Sequence, residues 1–131
     1  TDIQACLGIE QMKRVGVIIE KHMEIIKRYK EGLNESFELT KEDREDDLIP
    51  LRMEIVCEDA KMIAKYLKTK NIQSSLRTDN IVDHPCYKGK IRHLELNNSD
   101  YYSGRILVLP SGPKQKLDAV GKVIKALNEY Q

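Results

Sequence analysis

The first quarter of the chain carries hydrophobic residues at three- and four-residue steps, the spacing of a helix with one buried side. This stripe consists of Val15, Ile18, Ile19, His22, Ile25, Ile26, Tyr29 and Leu33. Thr1 and Gln4 have the spacing of a capping box, so we expect the helix to begin at the chain start. We predict one long N-terminal helix, in which Gly8 and Gly16 mark close packing or a break and His22 is a packed histidine.

Two later segments have the features of β-strands. In residues 49–57, apolar and polar residues alternate with the two-residue period of a half-buried strand. The apolar members are Leu51, Met53 and Ile55. Residues 105–110 form an apolar run that ends at Pro110, which predicts a buried strand followed by a turn. Residues 72–76 are short and moderately β-like, and residues 78–92 are predicted to form a loop.

Two further helices complete the pattern. Asp59 is placed to cap the first, and Asn71 is placed to end it in the left-handed conformation. Its apolar side consists of Met62, Ile63, Tyr66 and Leu67. The apolar side of the last helix consists of Leu117, Val120, Ile124 and Leu127. We therefore predict a single α+β domain of 131 residues, in which helices cover one face of a small, mostly antiparallel sheet.

Composition excludes several classes of partner. The 22 basic residues are balanced by 21 acidic ones, so nothing indicates a nucleic-acid partner. The chain contains no tract of about 18 consecutive apolar residues, which a membrane span would need. The three cysteines, Cys6, Cys57 and Cys86, lack the spacing of a disulfide-stapled domain, so we expect reduced thiols in a cytoplasmic protein. The first residues are neither an initiator methionine nor a secretory signal, and we expect a chain trimmed at its front end.

One loop brings an imidazole and a thiol together in sequence, at His84 and Cys86. A cysteine nucleophile needs a histidine within hydrogen-bond reach and a third group, here Asp83, to orient it. With His93, the same loop offers a His-x-Cys…His metal cluster, although zinc sites normally show four ligands at tighter spacings. Adjacent residues seldom point at one another, so the residues alone favour a domain without a visible catalytic constellation.

The two ends of the chain resemble a known family. Residues 1–14 read TDIQACLGIEQMKR and closely resemble the Thr-Asp-Ile-Gln-Ala-Ala-Leu-Gly…Gln-Leu stretch of the DegT/DnrJ/EryC family of aminotransferases. Residues 25–33 are similar to the Arg-Tyr…Leu end of a helix in that family. Residues 99–110 are similar to the helix, strand and Leu-Pro turn that precede its last helix. The resemblance spans essentially the whole chain.

This resemblance implies a fold type I enzyme, in which a large domain holds pyridoxal phosphate (PLP) on a lysine and a small C-terminal domain closes over the site. Family members move an amino group from glutamate to a keto group on a nucleotide-linked sugar, and some relatives are called pleiotropic regulatory proteins. We expect residues 1–131 to be that small domain. The expected partners are the large domain of the same polypeptide, which lies upstream and holds the cofactor, and a second copy in a homo-oligomer. The chain is expected to bind no PLP and to be inactive alone.

A lysine in the chain mimics the family's Schiff-base lysine. Residues 36–41 read SFELTK, which has the Ser-Phe-x-x-x-Lys spacing of that site. A Schiff-base lysine must lose its proton, whereas Lys41 is surrounded by carboxylates that favour its charged form. These are Glu42, Asp43, Glu45 and Asp46. We interpret the match as a coincidence.

The resemblance also implies substrate contacts. The family's small domain has a Pro-Leu-His segment followed by Gln-Pro-x-Tyr, near the substrate opening. Here Pro85-Cys86-Tyr87 fits Pro-x-Tyr, the glutamine falls on His84, and the Pro-Leu-His positions fall on Asn80, Ile81 and Val82. The family histidine is therefore missing or displaced, which puts the substrate type in doubt. The residues implied to contact substrate are Arg77, His84 and Tyr87.

Two other functions stay open at this point. A small α+β sheet with one helical face is a general scaffold, so the chain could be a free-standing regulatory or ligand-binding module. The third alternative is an enzyme that uses Cys86. For the leading interpretation, a helix that once faced a large domain should carry exposed apolar residues that promote self-association. We expect these at Ile3, Leu7 and Met12.

Overall fold

The structure is a computed structural model that describes residues 1–39, 49, 51–77, 80–87 and 97–130. In these ranges the helices are α1 (Asp2–Met12), α2 (Val15–Gly32), α3 (Ala60–Thr69), α4 (Asn97–Tyr102) and α5 (Leu117–Asn128). The strands are β1 (Glu38–Leu39), β2 (Met53–Val56), β3 (Ser75–Leu76) and β4 (Ile106–Leu109). A short 3-10 helix, Ile81–Asp83, lies within the predicted loop.

The N-terminal helix is two helices. The capping box is confirmed, since the Thr1 amino group donates to Gln4 Oε1 over 2.9 Å and the Gln4 N–H donates back to Thr1 Oγ1. The chain turns at Lys13 and Arg14, so the predicted position of a break, at Gly8 or Gly16, is wrong. The physical reason is packing: α1 buries no residue, whereas the stripe on α2 buries His22, Ile25, Ile26 and Tyr29.

The sheet has the strand order β1-β2-β4-β3, and every neighbouring pair is antiparallel. In the central pair, Met53 lies opposite Leu109 and Ile55 lies opposite Leu107. All four side chains are buried, so they form one apolar face of the sheet. The predicted α+β class is confirmed, and both longer strands form, at Met53–Val56 and Ile106–Leu109. The first is shorter than predicted, and Leu51, predicted on its buried side, is 83% exposed. The sequence interpretation missed β1, and only Ser75–Leu76 of the β-like segment 72–76 pairs as a strand.

Helices α2, α3 and α5 supply the other half of the core. Asn71 has φ 58°, which confirms the predicted left-handed end after α3. Asp59 is the N-cap residue of α3, but its side chain makes no capping hydrogen bond. Met62 is 53% exposed, so its predicted place on the apolar side is wrong. The buried positions of α3 are Ala60, Ile63 and Leu67.

The turn between β4 and α5 is held by two hydrogen bonds from distant elements. The Tyr29 hydroxyl of α2 donates to the Pro110 carbonyl oxygen over 2.8 Å. The Met53 N–H donates to Ser111 Oγ over 2.9 Å, and Ser111 is buried. Burial also raises the pKa of Tyr29 well above its usual range, so the hydroxyl remains a donor. The "Leu-Pro" segment is therefore fixed to both α2 and β2.

Candidate functional site

Arg77 lies directly after the edge strand β3. Its backbone N–H donates to the Ile106 carbonyl oxygen over 3.0 Å, which extends the pairing of β3 with β4 by one residue. Its guanidinium forms an ion pair with the Glu54 carboxylate of β2. The Glu54 side chain is only 11% exposed, whereas that of Arg77 is 57% exposed. The arginine therefore neutralises a largely buried carboxylate and still presents part of its guanidinium to solvent.

His84 and Tyr87 lie in one turn that follows the 3-10 helix. The Tyr87 N–H donates to the His84 carbonyl oxygen over 2.8 Å, and the two ring centroids are 6.2 Å apart. Both side chains are exposed. The structure thus brings two of the three predicted contact residues together. It places the third, Arg77, at the sheet edge from which the loop leaves.

The His84 ring is engaged by the backbone of Cys86. The Cys86 N–H donates a hydrogen bond to His84 Nδ1 over 3.4 Å, so Nδ1 is the acceptor and the tautomer that fits this bond carries its N–H at Nε2. A cysteine nucleophile would need the imidazole to accept from the thiol instead. His93 and the Asp83 side chain lie outside the described residues. Among the residues that are described, no group of three His, Cys, Asp or Glu side chains could hold a metal.

Helix α4 fixes the start of the loop. The Asn80 N–H donates to Ser103 Oγ over 3.2 Å, and Asn80 Nδ2 donates to Asp100 Oδ1 over 2.6 Å. These bonds join residues that are 23 and 20 positions apart. The loop that carries His84 and Tyr87 is therefore attached to α4, although nothing in the sequence spacing indicated this contact.

Three further side chains meet where α4 leads into β4. Tyr101 and Tyr102 are both exposed, and their rings lie edge to face with centroids 5.1 Å apart. The Arg105 guanidinium carbon lies 4.7 Å from the centroid of the Tyr101 ring. The sequence interpretation missed this cluster. The signal that could have found it is the four-residue step from Tyr101 to Arg105 across Gly104, a residue suited to a tight turn.

The predicted contact residues Arg77, His84 and Tyr87 are all exposed at the surface of the described part of the chain. A groove of about 1040 Å³ runs between α5 and the turn at residues 71–75 that leads into β3. Arg77, His84 and Tyr87 are not among the residues that line it. The predicted contact residues therefore lie on an open surface, at the β3 edge and in the loop that is bonded to α4.

Helix α1 presents a second open surface. Its large apolar side chains are mostly exposed, with Ile3 at 75%, Leu7 at 63%, Ile9 at 59% and Met12 at 67%. At 100° per residue, Ile3 and Leu7 point to one side of the helix, and Ile9 and Met12 point to the opposite side. A helix that is apolar on more than one side is typically buried inside a larger structure.

The described residues do not fit the cofactor site of a PLP enzyme. A lysine that forms a Schiff base needs a setting that removes its proton, such as a desolvated pocket or a neighbouring cation. Every lysine in the described ranges is exposed at the surface. Lys41 and its acidic neighbours lie outside those ranges. The described lysines therefore lack the setting in which a Schiff base with PLP would form.

The three cysteines are free thiols, with Cys6 and Cys86 exposed and Cys57 half-buried. Burial, together with the negative charge of Asp59, raises the pKa of the Cys57 thiol to about 11. Cys57 is therefore an unreactive structural thiol at neutral pH. No helix in the described part of the chain combines the length and apolarity that crossing a bilayer demands.

Comparisons with known proteins give one family and one fold. The model of the DegT/DnrJ/EryC1/StrS aminotransferase family matches residues 1–128. The structure is similar to DesV of S. venezuelae, solved with a ketimine intermediate, at a TM-score of 0.88 and 18% identity. It is similar to Helicobacter pylori PseC, an aminotransferase of pseudoaminic acid biosynthesis, at 0.84 and 18%. It is also similar to Spr1654 of Streptococcus pneumoniae in its PLP-form, at 0.84 and 20%.

These matches cover nearly all of this chain and a minor part of the others. The alignments cover 97%, 95% and 98% of the chain, but only 35%, 36% and 35% of DesV, PseC and Spr1654. The chain thus spans about a third of the length of the proteins that it resembles. At identities of 18–20%, these structural matches establish a shared fold and nothing beyond it. No curated protein sequence gives a significant match.

Proposed function

Because the chain belongs to the DegT/DnrJ/EryC1/StrS aminotransferase family, we propose that it is the small C-terminal domain of a PLP-dependent sugar aminotransferase. The observation that carries the proposal is the coverage: 97% of this chain aligns with 35% of DesV. A fold that matches so completely, over so small a share of the partner, is what one domain of a larger enzyme produces. The remaining share corresponds to the proposed large domain of the same polypeptide.

The exposed apolar side chains of α1 support a larger assembly. Ile3 and Leu7 lie on one side of the helix, and Ile9 and Met12 on the other, so a single flat contact would leave one side in water. An isolated helix of 11 residues is marginal in water without tertiary packing. We propose that the large domain covers one side of α1 and that a second copy covers the other in a homodimer.

In this assembly the chain binds and orients substrate and leaves the chemistry to the large domain. PLP, when bound there, would supply the electron sink for amino transfer. The proposed substrate is a nucleotide-linked keto sugar, which Arg77, His84 and Tyr87 contact at the entrance. The Glu54 carboxylate holds the Arg77 guanidinium in place, which reduces the entropy lost when that guanidinium binds an anionic or carbonyl oxygen. Alone, the chain is not expected to transaminate.

This chain departs from the family pattern at residues implied to contact substrate, and the departure bears on which sugar the parent enzyme uses. Residues 80–82 replace the Pro-Leu-His segment, and His84 stands at the glutamine position. His84 presents a ring N–H at Nε2, where a glutamine would present both an amide donor and an acceptor. We propose that the parent enzyme uses a sugar other than that of relatives with the complete segment. A cytoplasmic location is part of the proposal, since the three cysteines are free thiols.

The test is an activity assay on the complete native gene product, with residues 1–131 alone as the control. We expect transfer of an amino group from glutamate to a nucleotide-linked keto sugar by the complete product, and none by the control. In the complete product, Arg77→Ala should raise KM several-fold. Arg52→Ala is the control, because Arg52 is an exposed arginine directly before β2, and this substitution should leave KM unchanged. A complete product without cofactor or transferase activity would favour a regulatory or ligand-binding module instead.

A further inference from the structure

The sheet ends in an open edge at β3. Strand β3 pairs with β4 on one side, and no described strand pairs with its other side. The Arg77 N–H donates to the Ile106 carbonyl oxygen, and the backbone groups of successive residues in an antiparallel strand point in alternate directions. The N–H and carbonyl of Leu76, one residue earlier, therefore point away from β4. An edge of this kind binds a further extended chain through backbone hydrogen bonds.

A second groove, of about 670 Å³, lies along this edge between β3 and α3. Apolar side chains line it from both sides, namely Ala64 of α3 and, from the segment that contains β3, Ile72 and Leu76. Leu76 is 37% exposed, whereas Leu107, opposite it in β4, is buried. The groove therefore offers an apolar surface directly beside the open backbone of Leu76.

The helix side of this groove is basic. Lys61, Lys65 and Lys68 line it from one side of α3, since residues three and four positions apart share a helix face. All three are exposed, and none lies within 4.0 Å of a described carboxylate. The ten residues of α3 contain no acidic side chain. The groove thus combines open backbone groups on one wall with three ammonium groups that no described carboxylate neutralises.

The charge of the groove decides between two occupants of an open edge. A second copy of this chain, paired antiparallel at the same edge, would place two rows of lysines on one face of the joined sheet, and like charges across an interface are unfavourable. An extended acidic peptide carries the opposite charge. Its alternate side chains lie about 6.8 Å apart, and Lys61 and Lys65 are separated by a rise of about 6 Å along the helix. Acidic residues at every second position therefore match the spacing of these lysines.

We propose that the groove between β3 and α3 binds an extended acidic peptide, which joins the sheet as a further strand beside β3. The peptide exchanges backbone hydrogen bonds with Leu76, and its carboxylates pair with the three lysines of α3. This binding is independent of the proposed function, because Arg77, His84 and Tyr87 are not among the residues that line the groove. The partner is recognised by its extended backbone and its alternating negative charges.

The experiment is a fluorescence anisotropy titration of the 131-residue chain with a labelled decapeptide of alternating glutamate and threonine, blocked at both ends. The matched probe has glutamine in place of glutamate. We expect the glutamate peptide to bind, and its affinity to fall as salt is added, because salt screens exposed charges. We expect the glutamine peptide to bind at least about ten-fold more weakly.

Methylation of the peptide backbone tests the added strand. Two further peptides carry N-methyl groups at all glutamates or at all threonines, which removes those backbone donors and keeps the charge. Only one of the two should lose binding, because alternate residues of a strand direct their backbone groups to opposite edges. Equal affinities of the two methylated peptides would show attraction between charges alone and would overturn the proposal.

Variants locate the binding site. Lys65→Glu should weaken binding of the glutamate peptide at least about ten-fold. Lys122→Glu is the matched control at an exposed lysine of α5 that does not line this groove, and it should leave the affinity unchanged. Equal losses in the two variants would overturn the proposal.

The same titration on the complete native gene product should give the same affinity. Loss of binding there would show that another part of that product covers the groove, and this result would also overturn the proposal. Binding by a complete product that lacks PLP and transferase activity would overturn the proposed function alone.

Discussion

Asn128 closes the C-terminal end of α2 by donating from Nδ2 to the Gly32 carbonyl oxygen over 2.9 Å. The same side chain accepts from the Asn34 N–H through Oδ1 over 3.1 Å. One side-chain amide of α5 therefore satisfies both the carbonyl of the last helical residue and the N–H of the second residue after the helix. The bond requires close approach of the two helices, and a glycine at position 32 permits it.

The first prediction concerns that close approach. A Cβ at Gly32 would lie 3.0 Å from two side-chain carbons of buried Ile124. Overpacking of this kind costs about 1–3 kcal/mol, which exceeds the gain of about 0.5–1 kcal/mol that alanine brings to a helix. Gly32→Ala should therefore lower the free energy of unfolding by about 1 kcal/mol in a urea titration.

Gly121 is the matched control for this substitution. It lies inside α5, and a Cβ there would meet nothing within 4 Å. Gly121→Ala should therefore raise the free energy of unfolding by about 0.5–1 kcal/mol through helix propensity alone. Equal effects of the two substitutions would show that α2 and α5 do not pack as described.

A second prediction concerns the turn between α4 and β4. At Gly104 a Cβ would meet nothing within 4 Å, but φ is 71°. Gly104→Ala should therefore lower stability by about 1–2 kcal/mol for conformational reasons alone. Gly104→Asn should lose less, because asparagine tolerates the left-handed region. Thermal unfolding of the two variants measures the difference, and equal losses would contradict a left-handed turn.

Cys57 gives a prediction on pH and reactivity. With a thiol pKa of about 11, only about 0.1% of Cys57 is thiolate at pH 8. Iodoacetamide at pH 8 should therefore modify the exposed Cys6 and Cys86 first, and Cys57 only after unfolding, as peptide mass mapping would record. Modification of native Cys57 at the rate of Cys86 would show that the pKa of the Cys57 thiol is not raised.

The same shift makes stability depend on pH. The folded-state pKa is raised from the ordinary value of 9.0, so the folded chain holds this proton more tightly than the unfolded chain. The contribution of Cys57 to the free energy of unfolding is therefore fully present below pH 9 and is lost as pH rises toward 11. Cys57→Ala should weaken the fall in stability over that window, as urea titrations at several pH values would measure.

Self-association through α1 stays a prediction. Ile3, Leu7 and Met12 are exposed, and water-exposed apolar side chains favour contact with a second surface. Sedimentation should show a concentration-dependent dimer of the 131-residue chain, and Leu7→Glu should abolish it. Val17→Glu, which alters an exposed residue of α2, is the control for added charge. A strictly monomeric profile over a wide concentration range would contradict the prediction.

Much of the fold follows from local patterns. The stripes on α2 and α5 and the alternation in β2 mark the core, because burial imposes the helix and strand periods directly. The break at Lys13 was not predictable, since α1 continues the apolar composition of α2 without burying a residue. Strand β1 was missed because two residues carry no readable period.

The candidate site was predictable only in part. His84 and Tyr87 are three positions apart, so one turn brings them together. The pairing of Arg77 with Glu54 spans two strands that lie on either side of β4, and it depends on a strand order that local patterns do not contain. The contact of Asn80 with Asp100 depends on the same tertiary arrangement.

The central claim is that this chain is one domain of a PLP-dependent sugar aminotransferase. The most direct test is the mass of the native gene product, measured together with its absorbance near the edge of the visible range, where bound PLP absorbs. The account predicts a product about three times as long as this chain, in keeping with its 35% coverage of DesV, that carries the chromophore. A native product of 131 residues without the chromophore would contradict it.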